Sequence, residues 1–194
     1  RYNYGGNWTG LFCTGARQPV PRDLAGETIY AIPNSYGYDG QFYHYIAHDP
    51  LGRSGLPNYI DAPRLRYTRI LVPALAYILA AGQPRLIDAA YFSVVQGFVF
   101  LGAFWLARLA LLHGRPAWWG FLFLALPASA VSIDRMTVDV ALAALWVGFA
   151  VLASRQASWP ILAILALAPL VRETGLAIAA VYGLCSMARR QYGK

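Results

Sequence analysis

The chain has 194 residues, 58% of them hydrophobic and 13% charged, with a formal net charge of +7. Ordinary globular domains run at about 45–50% apolar and about 25% charged. A chain this short has too little interior to hide its apolar surface, which excludes a disordered segment, a soluble nucleotide-binding fold and a disulfide-stapled module.

The positive charge does not point to nucleic acid. Lys194 is the only lysine, and Arg189-Arg190 is the only cationic doublet. Cys13 and Cys185 are expected in unlike surroundings, so no disulfide or metal framework follows from them. The polarity changes near Tyr67. Residues 1–67 carry six Arg and five Asp/Glu among many Gly, Pro, Asn and Tyr, whereas residues 68–194 are mostly Ala, Leu, Val and Phe. The chain opens inside a polar segment without Met, and reads as a piece of a longer protein.

Tyr2–Asn34 holds turn residues throughout and predicts irregular structure. A short helix is predicted near residues 40–48, with Asp39 as its cap and Pro50 as its stop. Phe42, Tyr45 and Ile46 share one face of it, and Tyr38, Tyr43 and Tyr45 are aromatics of the kind that anchor a segment at a bilayer interface. Ile70–Gly82 is 13 residues with Pro73 inside. About 20 Å of helix cannot cross a hydrocarbon core of about 30 Å, so this segment is expected to lie at the interface. Spans are predicted near 86–112, 117–133, 138–154, 159–171 and 174–188. Gly97, Gly102 and Gly148 suit close packing between them.

The positive-inside rule supports five spans. One side collects Arg108, Arg115, Arg155, Arg189, Arg190 and Lys194, with no acid. The other collects Arg69, Arg85, Asp88, Asp134, Arg135, Asp139, Arg172 and Glu173. The all-cation side is expected to be cytoplasmic and residues 1–67 extracytoplasmic. The expected fold is therefore all-α: a polytopic integral membrane protein with about five transmembrane helices and an outer loop carrying juxtamembrane helices.

Chemistry-bearing residues gather on the outer side. In Tyr36-Gly37-Tyr38-Asp39-Gly40-Gln41, Asp39 is either a catalytic carboxylate beside the membrane or a helix cap. Asp39 and Asp49 are about 15 Å apart on a continuous helix and should not grip one metal together. His44 and His48 share a helix face, as zinc ligands can, but no third ligand of suitable spacing is visible, and the pair reads as two interfacial histidines. Arg64, Arg66 and Arg69 enter the interface ahead of Pro73. Arginine forks suit phosphate, and headgroup anchoring suits them equally. Asp134–Arg135 and Arg172–Glu173 either neutralise each other or join the same site.

Tyr38-Asp39-Gly40-Gln41-Phe42-Tyr43, Ala47-His48-Asp49-Pro50, Arg66-Tyr67-Thr68-Arg69-Ile70 with Pro73, and Arg172-Glu173-Thr174-Gly175 together resemble the GT-C glycosyltransferase superfamily. That group includes the protein O-mannosyltransferases and the aminoarabinose transferases of lipid A, and the likeness is to a bacterial branch of it. The resemblance implies transfer of a sugar from a polyprenyl phosphate-linked donor at the outer face of the bacterial inner membrane. Asp39 would be the catalytic residue. Arg66, Arg69, Arg135 and Arg172 would be candidates for the donor phosphate, with Tyr38, Gln41, Asp134 and Glu173 beside them in the substrate site. The implied partners are the bilayer and the lipid-linked sugar. No cofactor is demanded, and a divalent metal is compatible with the chemistry. The alternative is a transporter, or a scaffold binding lipid-linked intermediates. A transporter should place ionisable groups at mid-membrane, whereas the charges here gather at one face.

Overall fold

The computed structural model describes residues 4–21, 24, 26–155 and 158–192. Helix is the main regular structure among these residues, joined by turns and irregular segments, and the strands amount to one parallel two-residue pair, β1 (Thr14–Gly15) and β2 (Ala31–Ile32). The helices are α1 (Asp39–His48), α2 (Pro63–Thr68), α3 (Leu71–Leu79), α4 (Ile87–Leu112), α5 (Pro127–Arg135), α6 (Asp139–Ser154), α7 (Ser158–Val171) and α8 (Leu176–Tyr192). The all-α expectation holds.

Helix α4 is the axis of the molecule. Its 26 residues contain no proline, and Asp88 in its first turn complements the positive helix end. It stops where Gly114 takes a left-handed φ of 68°. The Gly114 and Arg115 amides then bond back to the carbonyls of Leu111 and Ala110, which closes the last turn. Helix α3 accepts Pro73 in its first turn, where the missing N–H has no helical partner to lose. Its nine residues make about 14 Å of helix, consistent with an element that does not cross a bilayer.

The predicted span 117–133 is two pieces. Ala117–Ala125 is a 3₁₀ helix, and it meets α5 at a bend of 58°. The cause is Pro127: it has no N–H for the ladder and forces Leu126 into an extended conformation with ψ 137°. Pro84–Leu112 is the one described helix long and apolar enough to cross a membrane; the bent pair would make a second if it is a single span. α6, Trp159–Val171 and Glu173–Met187 are apolar but shorter. Of the expected cytoplasmic cations, the side chains of Arg189 and Arg190 and all of Lys194 lie outside the described residues.

The hydrophobic core runs across the change of polarity at Tyr67. Phe12, Tyr43 and Ile46 share one core cluster with Val95, Val140 and Ile178. Helix α1 is buried from Gly40 to Ala47, so Tyr43 and Tyr45 are core residues at 1% exposure rather than interfacial anchors. The reason is that α1 is covered on several sides, by α3, by α4 and by the 3₁₀ turn Trp8–Phe12.

Two of the three noted glycines are packing sites. A Cβ at Gly148 would lie 3.1 Å from Trp105 Nε1, and one at Gly102 would overlap the ring of Phe123, which is fully buried. Gly97 has nothing within 4 Å of that position. Gly102→Ala should therefore lower stability by about 1–3 kcal/mol, the usual cost of overpacking. The check is the thermal melting midpoint in detergent, and an unchanged midpoint would contradict this packing.

Candidate functional site

The residue that starts α1 does not cap it. Tyr38 occupies the cap position in an extended conformation with no side-chain capping bond, and Asp39 is the first helical residue. Its carboxylate turns to Arg66 instead. Arg66 donates from Nη2 to Asp39 Oδ1 (2.9 Å), and its Nη1 lies 2.8 Å from Asp39 Oδ2. The same guanidinium donates from Nε and Nη2 to Asp61 at 3.0 Å each. One arginine thus holds two carboxylates in two-pronged contacts, the geometry that lysine cannot supply. The Arg66 side chain is 10% exposed, against 39% for Asp39. Its guanidinium also lies 4.8 Å over the Phe42 ring. Burial opposes the charge on Arg66, but Asp61 and Asp39 more than offset it and raise the pKa. The hydrogen bonds from Arg66 hold Asp61 below the usual carboxylate range.

A second pair adjoins the first through Tyr43. Arg69 donates to Glu173 from Nε (2.9 Å) and Nη2 (2.6 Å). Arg66 and Arg69 both donate to the Tyr43 hydroxyl, at 3.5 and 3.3 Å. The bonds from Arg69 keep Glu173 below its ordinary pKa. Arg172 pairs with Asp139. The helices α1, α2 and α6 and the turn between α7 and α8 are thereby joined by charge.

The sequence-predicted residues divide by this geometry. Arg66 holds Asp39, Arg69 and Glu173 adjoin that pair through Tyr43, and Arg172 is paired with Asp139, so each is engaged by another side chain of the chain itself. Gln41 is 1% exposed, and its amide ties Gly15 N–H and the Tyr36 carbonyl to α1. Arg135 is different. Its contact with Asp134 is 3.4 Å long and exposed, and its guanidinium lies 4.5 Å over the Tyr38 ring. Tyr38, Ala130, Val131, Asp134 and Arg135 line an open groove of about 410 Å³. Asp61, Tyr43 and Asp139 also belong to the network. Asp61 stood in the arginine-rich stretch of the sequence, but nothing there marked it as a partner of Arg66.

The histidines are not interfacial. His44 is fully buried and His48 is 5% exposed at its side chain. Glu27, from the loop between β1 and β2, and Asp88, from the first turn of α4, complete a group whose ligand atoms all lie within 4.8 Å of one another and could hold a metal ion. His44 Nε2 is 2.7 Å from Asp88 Oδ1 and 3.5 Å from Glu27 Oε2. His48 Nε2 is 3.5 Å from Glu27 Oε1. Burial works against a charge on His44, but Asp88 and Glu27 raise its pKa above the ordinary value. Burial, with His44 alongside, pushes His48 down to about 3. Sequence spacing shows only the i, i+4 histidines, because the two carboxylates arrive from distant parts of the chain. Asp49 takes no part: it accepts bonds from the Arg53 and Ser54 amides and the Ser54 hydroxyl and finishes α1.

Comparison with family models, curated proteins and solved structures gives no match to this chain.

Proposed function

We propose that the chain belongs to a membrane glycosyltransferase that moves a sugar from a polyprenyl phosphate-linked donor to an acceptor at the outer face of the membrane. The observation that carries this reading is the placement of Asp39. An otherwise buried helix presents one half-exposed carboxylate at its start, aimed by a buried arginine, beside a groove with a cation on its rim. Asp39 acts as general base toward an acceptor hydroxyl. Arg135 meets the donor phosphate and stabilises the charge left on it as the glycosidic bond breaks. Arg66 is a positioning residue, while Arg69 and Arg172 fix the surrounding helices.

Membrane residence is supported by large apolar side chains that stand exposed among the described residues. Trp159 is 82% exposed, Phe100 74%, Phe121 71% and Leu184 68%. The proposed topology of about five spans places residues 1–67, Asp134 and Glu173 outside and Arg108, Arg115 and Arg155 in the cytoplasm of a bacterial cell.

The test is transfer from a labelled polyprenyl phosphate sugar by the protein in its native membrane. Release of polyprenyl phosphate coupled to inversion at the sugar supports the reading; no release with any such donor overturns it. Sidedness is checked by labelling single cysteines at 134 and 155, with the exposed Cys185 replaced. Only position 134 should react with an impermeant reagent in intact cells. Equal labelling of both positions would sink the topology.

A further inference from the structure

We propose that Glu27, His44, His48 and Asp88 form a structural zinc site, separate from the Asp39 site, that clamps the loop between β1 and β2 and helix α1 to the first turn of α4. The proposal stands whether or not the chain transfers sugar.

Three observations carry it. The first is convergence. Two imidazole nitrogens and two carboxylates from three separate parts of the chain point at one spot. Two ligands on a tetrahedral zinc with bonds of 2.0–2.1 Å sit about 3.3 Å apart; the His44–Glu27 and His48–Glu27 approaches are 3.5 Å, while the His44–Asp88 hydrogen bond of 2.7 Å has to open by about 0.6 Å to admit the ion.

The second is unmet bonding capacity. His48 Nε2 and Glu27 Oε2 are buried without a hydrogen-bond partner. Buried polar atoms are normally satisfied, and each exception calls for a cause. A proton between His44 and Asp88 satisfies one pair and leaves His48 without one. A cation at the centre takes one ligand atom from each of the four groups, and leaves His44 Nδ1 buried without a partner.

The third is charge. As zinc ligands the two imidazoles are neutral, and with two carboxylates they carry −2, which a divalent ion balances in a place where His44 is fully buried. Uncompensated charge there would be costly.

The donor set selects the ion. Imidazole favours zinc and its transition-metal neighbours, whereas magnesium and calcium take oxygen ligands. The rings are held by packing: Phe12 stacks on His44 at 4.0 Å, and the His44 and His48 rings meet edge-on at 4.9 Å. All four positions are taken by the chain, which leaves no opening for a reacting water, so the role is structural.

The experiment uses the whole protein, stripped with a chelator and titrated with Zn²⁺, Mg²⁺ and Ca²⁺ in turn. One equivalent of Zn²⁺ should bind, raise the melting midpoint, and resist a large excess of Mg²⁺ or Ca²⁺. Co²⁺ in its place should give the visible absorption of a tetrahedral centre. His48→Gln should weaken zinc binding by at least about tenfold, taking the loss of an outer-shell partner as the lower bound. Glu27→Gln, in a loop, should do the same and guards against a His48 variant that fails to fold. Asp39→Asn should leave zinc binding unchanged. Zinc binding equally to the wild type and both site variants, or magnesium or calcium binding as tightly as zinc, would overturn the proposal.

Discussion

Asp39→Asn should lower sugar transfer by about 10²–10⁴-fold, the range that a positioned general base contributes, and leave the fold almost untouched. The two parts of that expectation have separate causes. Asparagine has the same shape and keeps an oxygen to accept from Arg66, but it cannot take a proton. Arg66 is not orphaned by the change, because Asp61 already holds it through two bonds of 3.0 Å. A helix cap would behave otherwise: its loss costs about 1 kcal/mol and does not touch the chemistry. The structure already removes that alternative, since Tyr38 holds the cap position and the Asp39 side chain faces Arg66. Turnover should be measured at matched expression with the donor saturating. Near-normal turnover in Asp39→Asn would end the assignment of Asp39 as the base.

Arg66→Lys separates positioning from chemistry. Lysine keeps the charge but cannot span both carboxylates. Activity should fall with Asp39 intact, and the melting midpoint should fall with it. The base variant, by contrast, loses activity alone. Partial exposure of Asp39 and Asp61, at 39% and 44%, keeps the stability loss below the 3–5 kcal/mol typical of a fully buried pair broken on one side.

Local signals in the sequence and long-range pairings fared differently. A helix over 40–48 is legible because Pro50 and the residues around it act locally, although its start at Asp39 rather than after it is not, and the wall of α4 is legible because its 26 residues hold no proline. The bend at Pro127 was also present in the sequence, but the apolar run over 117–133 hid it: hydropathy counts residues and does not ask whether the ladder is continuous. The burial of α1 was not legible. Tyr43 and Tyr45 look amphipathic alone, and only the covering elements decide whether such rings face lipid, water or core. The arginines of phosphate-binding character are legible in the sequence, and their partners are not. The pair Arg69–Glu173 spans 104 positions, and no local pattern specifies a contact at that range. For the same reason His44 and His48 were visible while Glu27 and Asp88 were not.

Gly40→Ala should be the most damaging single methyl in the site. By intrinsic preference alone the change favours a helix by about 0.5–1 kcal/mol. Packing reverses the sign. A Cβ at position 40 would overlap the Arg135 carbonyl oxygen and come within 2.9 Å of the Phe12 carbonyl oxygen. Both are backbone atoms, so no side-chain rotation relieves the contact, and α1 must part from the end of α5 or from the Trp8–Phe12 turn. Overpacking of this kind costs about 1–3 kcal/mol and sometimes more. For chains of this size each kcal/mol moves the melting midpoint by about 2–4 °C. The displaced end of α5 carries Arg135, whose stacking on Tyr38 at 4.5 Å shapes one wall of the groove. Transfer should therefore weaken through a higher donor KM, while Asp39→Asn acts on kcat. Gly97→Ala is the control, because α4 presents Gly97 to open space and the added methyl should be neutral or slightly stabilising. Equal melting midpoints for the two alanine variants would show that α1 and α5 do not make the close backbone contact on which the groove depends.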